Sequence, residues 1–289
     1  MPGFVQFHAD NALSPHRFEA YRLDVSDGPT WSKIVDCCRA AWRLQADAVS
    51  ASIRDTGFAS SDASRNLDGR RMLPTTPRED SDVTRNSAIT DLTESVALVF
   101  VADRESGLVL PYPRTLHKDL PHLQHHGIDA IGYRVENGGY VLYVIEIMAS
   151  VEADHPPRTV RDHHSQIYGE TLNAVDQRRL LQDLRVVHDE AADQHKSILN
   201  GFIAALLEGA LGRNQGVVAC PMLFRRQGEF DRQDWLPFWE SAGLYPTARI
   251  PSVVAFFGIE IQNSFTGLLD LVKQTIGAGG MSDSRHTSV

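Results

Sequence analysis

The stretch IDAIGYRVENGGYVLYVIEIMAS, residues 128–150, constrains the fold of this chain more than any other. Two runs rich in β-branched and aromatic residues flank Asn137-Gly138, and an Asn-Gly pair in that setting specifies a hairpin closed by a two-residue type I′ turn. Pairing then runs outward from Glu136 and Gly139 one residue at a time, which sets Asp129 opposite Glu146. Directly opposed residues have Cβ atoms roughly 4.5–5.5 Å apart, close enough for two carboxylates to share one divalent cation. If the turn falls instead on Gly138-Gly139, the two acids remain diagonal neighbours on one face. Beside Ile131, Leu142 and Val144 they repel each other and lose hydration unless a cation or a proton lies between them. The competing reading puts Asp129 at a solvated strand start and pairs Glu146 with an arginine such as Arg134 or Arg161.

The rest of the chain alternates helical and strand-like segments. FEAYRLDVSD (18–27) reads as a strand and residues 31–53 as a long helix, forming an N-terminal α+β segment over 1–58. Residues 59–85 are rich in Ser, Asp and Pro, as a loop or linker is. A helix capped by Ser87 is expected over 86–101, with Ile89, Leu92, Val96, Val99 and Phe100 on one face. Helices are expected from Arg158 to Gly212, buried strands at 216–224 and 251–261, and a short helix around 234–243 between those strands. A last helix covers 264–276 and a frayed tail 277–289. The expected fold class is α/β, a mixed sheet flanked by helices, with a main domain over 86–276.

Composition removes several classes. Hydrophobic residues are 42% and charged residues 22% of 289, which is globular rather than disordered usage. No window of about 18 apolar residues exists to cross a membrane, and the start has no leader pattern, so a cytoplasmic protein without a membrane partner is expected. Three cysteines without CxxC spacing argue against a disulfide framework and a cysteine-rich zinc site. A net charge of -9 does not attract nucleic acid over the whole surface, so any such contact is local.

The pattern Gly127-Ile128-Asp129, followed across a hairpin by Ile145-Glu146-Ile147-Met148, with an acidic helix before and a polar helix after, resembles the restriction-endonuclease-like PD-(D/E)XK nuclease core. Over Asn86 to Gln177 the arrangement is similar to the nuclease-like component of the Hachiman anti-phage defence system. That resemblance implies metal-dependent phosphodiester hydrolysis of DNA with Mg²⁺ or Mn²⁺, in which Asp129, Glu146 and the helix acid Glu94 are metal ligands and Gln166 lies near the substrate. It also implies a separately encoded helicase as partner. Met148 departs from the pattern, since the residue two after the second acid is usually a lysine that positions the attacking water. Lys118 and the histidines His125, His126, His163 and His164 are the candidates to take over that role. The alternative is an inactive nuclease-fold subunit that binds DNA or regulates the helicase.

Other groupings carry less. His117, His122, His125 and His126 form a histidine-rich stretch without a partner acid or cysteine at helical spacing. His188 and His195, seven apart, are expected on one helix face. Arg178, Arg179 and Arg185, or Arg213, Arg225 and Arg226, are candidate phosphate contacts on an otherwise acidic body. Cys37 and Cys38 read as core residues of the first long helix. No P-loop, GxSxG, HExxH or GxGxxG motif is present.

Overall fold

The computed structural model describes residues 3–55, 82–112, 128–172, 177–213, 215–242, 250, 252–262 and 264–280. Its centre is a six-stranded mixed sheet in the order β1-β2-β6-β5-β4-β3. The strands are β1 (Phe4–Asp10), β2 (Arg17–Leu23), β3 (Ala130–Glu136), β4 (Gly139–Ala149), β5 (Gly216–Arg226) and β6 (Val253–Ile261). Strands β2, β6, β5 and β4 run parallel, and β1 and β3 pair antiparallel at the two edges. The N-terminal segment therefore extends the same sheet as the main domain, through β2 beside β6.

The hairpin has the expected register. Asn137 at φ 50° and Gly138 at φ 78° form a turn with both central residues left-handed, and Glu136 faces Gly139. The ladder ends at Ala130 opposite Ile145, and Asp129, in a bend just before β3, reaches β4 through its side chain, which accepts the Ile147 N–H.

Helices cover both sheet faces. On one face α1 (Gly28–Asp55), α2 (Asp82–Arg104) and α7 (Phe265–Gly280) bury Ile34, Cys38, Leu92, Val96, Phe100 and Leu269 against Tyr143, Ile145, Phe224 and Phe257. On the other lie α3 (Arg158–His164), a π-helical continuation (Ser165–Leu172), α4 (Arg178–Glu190), α5 (Asp193–Leu207) and α6 (Leu236–Ala242). These bury Val160, Leu180, Leu184, Phe202 and Phe238 against Val144, Met148, Leu223 and Phe256. Alternation along β4 thus sorts its side chains, odd residues to the first face and even residues, Glu146 among them, to the second.

Several boundaries differ from the sequence reading. Helix α2 begins at Asp82, so Ser87 lies inside it and does not cap it. Helix α7 continues to Gly280, past the expected end at 276. His188 and His195 do not share a helix, because the chain breaks at Ala191 and Ala192 between α4 and α5. Strand β1 went unread because its burial pattern is almost wholly exposed, leaving no apolar alternation to detect. Its register with β2 slips between Gln6 and His8, an irregularity of the bulge kind. Pro221 sits inside central strand β5, and the pairing with β6 skips Cys220 and Pro221, as a residue without an N–H requires.

Candidate functional site

Asp129 and Glu146 meet where β4 approaches its C-terminal end, on the face covered by α3 to α6. Glu146 is almost fully buried, at 2% exposure. The Asp129 carboxylate accepts the backbone N–H of Ile147 at 2.6 Å, and its oxygens are within hydrogen-bonding reach of the Glu146 carboxyl. Burial and then the neighbouring Glu146 charge push the Asp129 carboxyl up to about 8, against the smaller opposing effects of the Ile147 N–H and of His163. Two acids this close hold one proton between them or require a cation.

The helix after the hairpin supplies the third group. His163, on α3, places Nδ1 3.5 Å from Glu146 Oε2, and that nitrogen is buried without a hydrogen-bond partner. Burial holds the His163 imidazole below its usual range, opposed by the charges of Asp129 and Asp162, with Arg179 of α4 adding to the lowering. A fourth residue positions the strand start: Asp183 on α4, 3% exposed, accepts the backbone N–H of Ile128 at 3.2 Å. Asp183 shares the inward stripe of α4 with Leu180, Leu184 and Val187. An acid interrupting an apolar stripe at that spacing is the sequence signal that marks it, a signal no catalytic motif contains.

The remaining candidates are placed differently. Glu94 does not join the pair. Its helix α2 lies on the opposite sheet face, and Glu94 acts there on Cys37, whose thiol burial raises and Glu94 raises further. Gln166 lies on the π-helical segment, half-buried, with no hydrogen bond to the acids. Lys118 falls outside the described residues, as do Gly127, His117, His122, His125 and His126. His164 turns away from the acids, its Nε2 2.7 Å from Ser241 Oγ, tying α3 to α6. Met148 faces the same side of the sheet as Glu146 and is 1% exposed in the apolar cluster that contains Ile128, Val160 and Ile167. Arg225 offers nothing to a phosphate, because it is fully buried beside Asp234 and donates to the Glu229 carbonyl.

The donor chemistry suits a hard divalent cation. Two carboxylates supply oxygens whose mutual repulsion a cation relieves, and Mg²⁺ is commonly held by one or two carboxylates with water and substrate phosphate completing its shell. Among the described residues no set of three or more His, Cys, Asp and Glu side chains is arranged as a metal cage. No described helix is long and apolar enough to cross a membrane.

The fold is therefore α/β, with an acid pair near the C-terminal end of a parallel strand, where ligands bind in open α/β sheets. A comparison of the chain with family models and with curated proteins finds no match.

Proposed function

We propose that this protein is a metal-dependent nuclease that hydrolyses DNA phosphodiesters at the Asp129–Glu146 pair, in the manner of the PD-(D/E)XK core it resembles. The observation that carries the reading is the pair itself, Glu146 on β4 and Asp129 immediately before β3, two acids held together under burial that disfavours their charges. Asp129 and Glu146 would hold Mg²⁺ or Mn²⁺, which when bound polarises a phosphate and lowers the pKa of a coordinated water. His163 stands beside Glu146 with an unpartnered ring nitrogen, so it is the side chain that takes the place of the absent lysine, accepting a proton from water at the acid pair. Asp183 fixes the strand start that carries Asp129. Anti-phage defence together with a separately encoded helicase follows from the resemblance alone.

The second reading, an inactive nuclease-fold subunit that binds DNA or restrains the helicase, is favoured by Met148, which fills the usual lysine position with buried apolar bulk. The test is cleavage of linear and supercoiled DNA with Mg²⁺ or Mn²⁺, by the chain alone and with its helicase. Wild type cuts, and His163→Ala loses about 10²-fold or more, the usual worth of a positioned proton acceptor. Calorimetric binding of Mn²⁺ persists in that variant. Absence of metal-dependent cutting in every combination leaves the inactive-subunit reading standing.

A further inference from the structure

Helix α3 carries the imidazole that stands beside the acid pair, yet it has little of its own to hold it in place. Of its seven residues only Val160 is buried, and its N-cap is Pro157, which has no side chain able to cap it. A helix this short is marginal by itself and takes its position from its surroundings. Two hydrogen bonds made by histidines supply that position, one at each end.

The first precedes the helix. His155, on the loop between β4 and α3, donates from Nδ1 to Asp234 Oδ1 at 2.7 Å. Asp234 is fully buried and is itself fixed. Its other oxygen accepts the Asp231 N–H at 3.1 Å in the capping box of a 3₁₀ turn (Arg232–Trp235), and lies 3.5 Å from Arg225 Nε on β5. Because β5 pairs with β4 from Val141 through Glu146 to Ala149, this contact ties the entry to α3 to the sheet that carries the acid. Two prolines with restricted backbones, Pro156 and Pro157, leave little slack between His155 and the helix, and Glu152 accepts the Arg158 N–H at 2.6 Å.

The second bond lies at the far end. His164 Nε2 is 2.7 Å from Ser241 Oγ on α6, with its ring edge-on to Phe238. His163 and His164 are consecutive, so their side chains leave the helix about 100° apart. Holding His164 against α6 therefore sets the rotation of α3 about its axis, and with it the direction of His163. A slide by one residue's rise, about 1.5 Å, would part His163 Nδ1 from Glu146 Oε2, now 3.5 Å away.

We propose that His155 and Ser241 are positioning residues for His163, their bonds to Asp234 and His164 fixing the height and rotation of α3 that set His163 beside Glu146. The effect on cleavage rate rests on the nuclease reading; the placement of His163 does not.

The test uses the full chain and reads His163 in two ways. The first needs no activity: acylation of His163 by diethylpyrocarbonate, followed by peptide mapping, in wild type, His155→Ala, His155→Asn and Ser241→Ala. Loss of either bond loosens α3, and His163 is acylated about fivefold faster or more, whereas His155→Asn, whose amide N–H stands where Nδ1–H did, behaves as wild type. The second is DNA cleavage with Mg²⁺. For the two alanine variants kcat falls about tenfold or more, with KM and Mn²⁺ affinity unchanged because neither bond involves Asp129 or Glu146. In a His163→Ala background the same substitutions cost nothing further. His155 lies at the surface, so if Ser241→Ala fails to fold the two His155 variants decide. Equal acylation in all four proteins, no rescue by asparagine, or a full additional loss in the His163→Ala background would each overturn the assignment. Faster acylation in proteins none of which cuts DNA upholds the placement of His163 and counts against the nuclease reading alone.

Discussion

Asp129 accepts the backbone N–H of Ile147, the residue directly after Glu146, at 2.6 Å. A carboxylate fastened to the opposite strand in this way cannot swing away from its like-charged neighbour. The repulsion is therefore fixed in the fold and must appear in how the protein responds to pH, to cations and to substitution.

The pH response has a definite sign. Asp129 has its folded pKa raised from an ordinary 3.8 to about 8 by burial and then by Glu146, against the Ile147 N–H and His163. In the metal-free protein its contribution is fully present below the unfolded value. That contribution is lost as pH rises through the folded one, because over this window the unfolded chain has released a proton that the folded chain keeps. Melting curves in chelator, taken as the difference between wild type and Asp129→Asn, are expected to show wild type falling relative to the variant between about pH 4 and pH 8. A difference that rises with pH over that window contradicts the geometry.

Asp129→Asn keeps an oxygen for the Ile147 N–H and removes the charge. Without metal at pH 8 the variant is expected to melt a few degrees above wild type, at about 2–4 °C per kcal/mol for a chain of this size. Mn²⁺ should stabilise wild type and leave the variant unmoved, since one carboxylate of the pair is gone. Equal Mn²⁺ shifts in both proteins would remove Asp129 from the metal site.

Asp183→Ala leaves the buried Ile128 N–H without its acceptor, a loss of about 1–3 kcal/mol. Because Ile128 immediately precedes Asp129, Mn²⁺ affinity should fall too, although Asp183 is not itself proposed as a ligand. Chemical denaturation and Mn²⁺ calorimetry on the same sample measure both effects. Unchanged Mn²⁺ affinity would show that the strand start holds its position without α4.

Met148→Leu is a near volume-conserving change in an apolar cluster and is expected to cost less than about 1.5 kcal/mol. Met148→Lys puts an ammonium among Ile128, Val160 and Ile167, and is expected to cost at least about 2 kcal/mol without metal unless the side chain reaches Glu146. Denaturant midpoints separate the two cases. A Met148→Lys protein as stable as wild type, cutting DNA faster, would show that the chain can carry the usual lysine and lacks only that residue.

How much of this could be read beforehand depends on the range of the interaction. The register that opposes Asp129 and Glu146 was legible because Asn137-Gly138 fixes a turn locally and pairing follows residue by residue. The layer occupied by Glu94 was not, since helical period says which residues share a face of α2 but not which side of the sheet the helix covers. Strand β1 gave no sign because edge position leaves it exposed, and the break between α4 and α5 carries neither glycine nor proline to announce it. Asp183 shows in the sequence as an acid in the apolar stripe of α4, but that pattern does not say what it reaches, and the Ile128 N–H that it accepts is 55 residues away.

The slip in pairing between Gln6 and His8 also bears on how the molecule behaves in a crowd. Strand β1 is an outer margin of the sheet, with Val5 and Phe7 exposed along it, and an even margin of that kind is a template on which another chain can add a strand. An uneven one offers no continuous row of matched donors and acceptors. A newcomer aligned with Phe4 to Gln6 falls out of step from His8 onward, which discourages growth of the sheet from one molecule into the next.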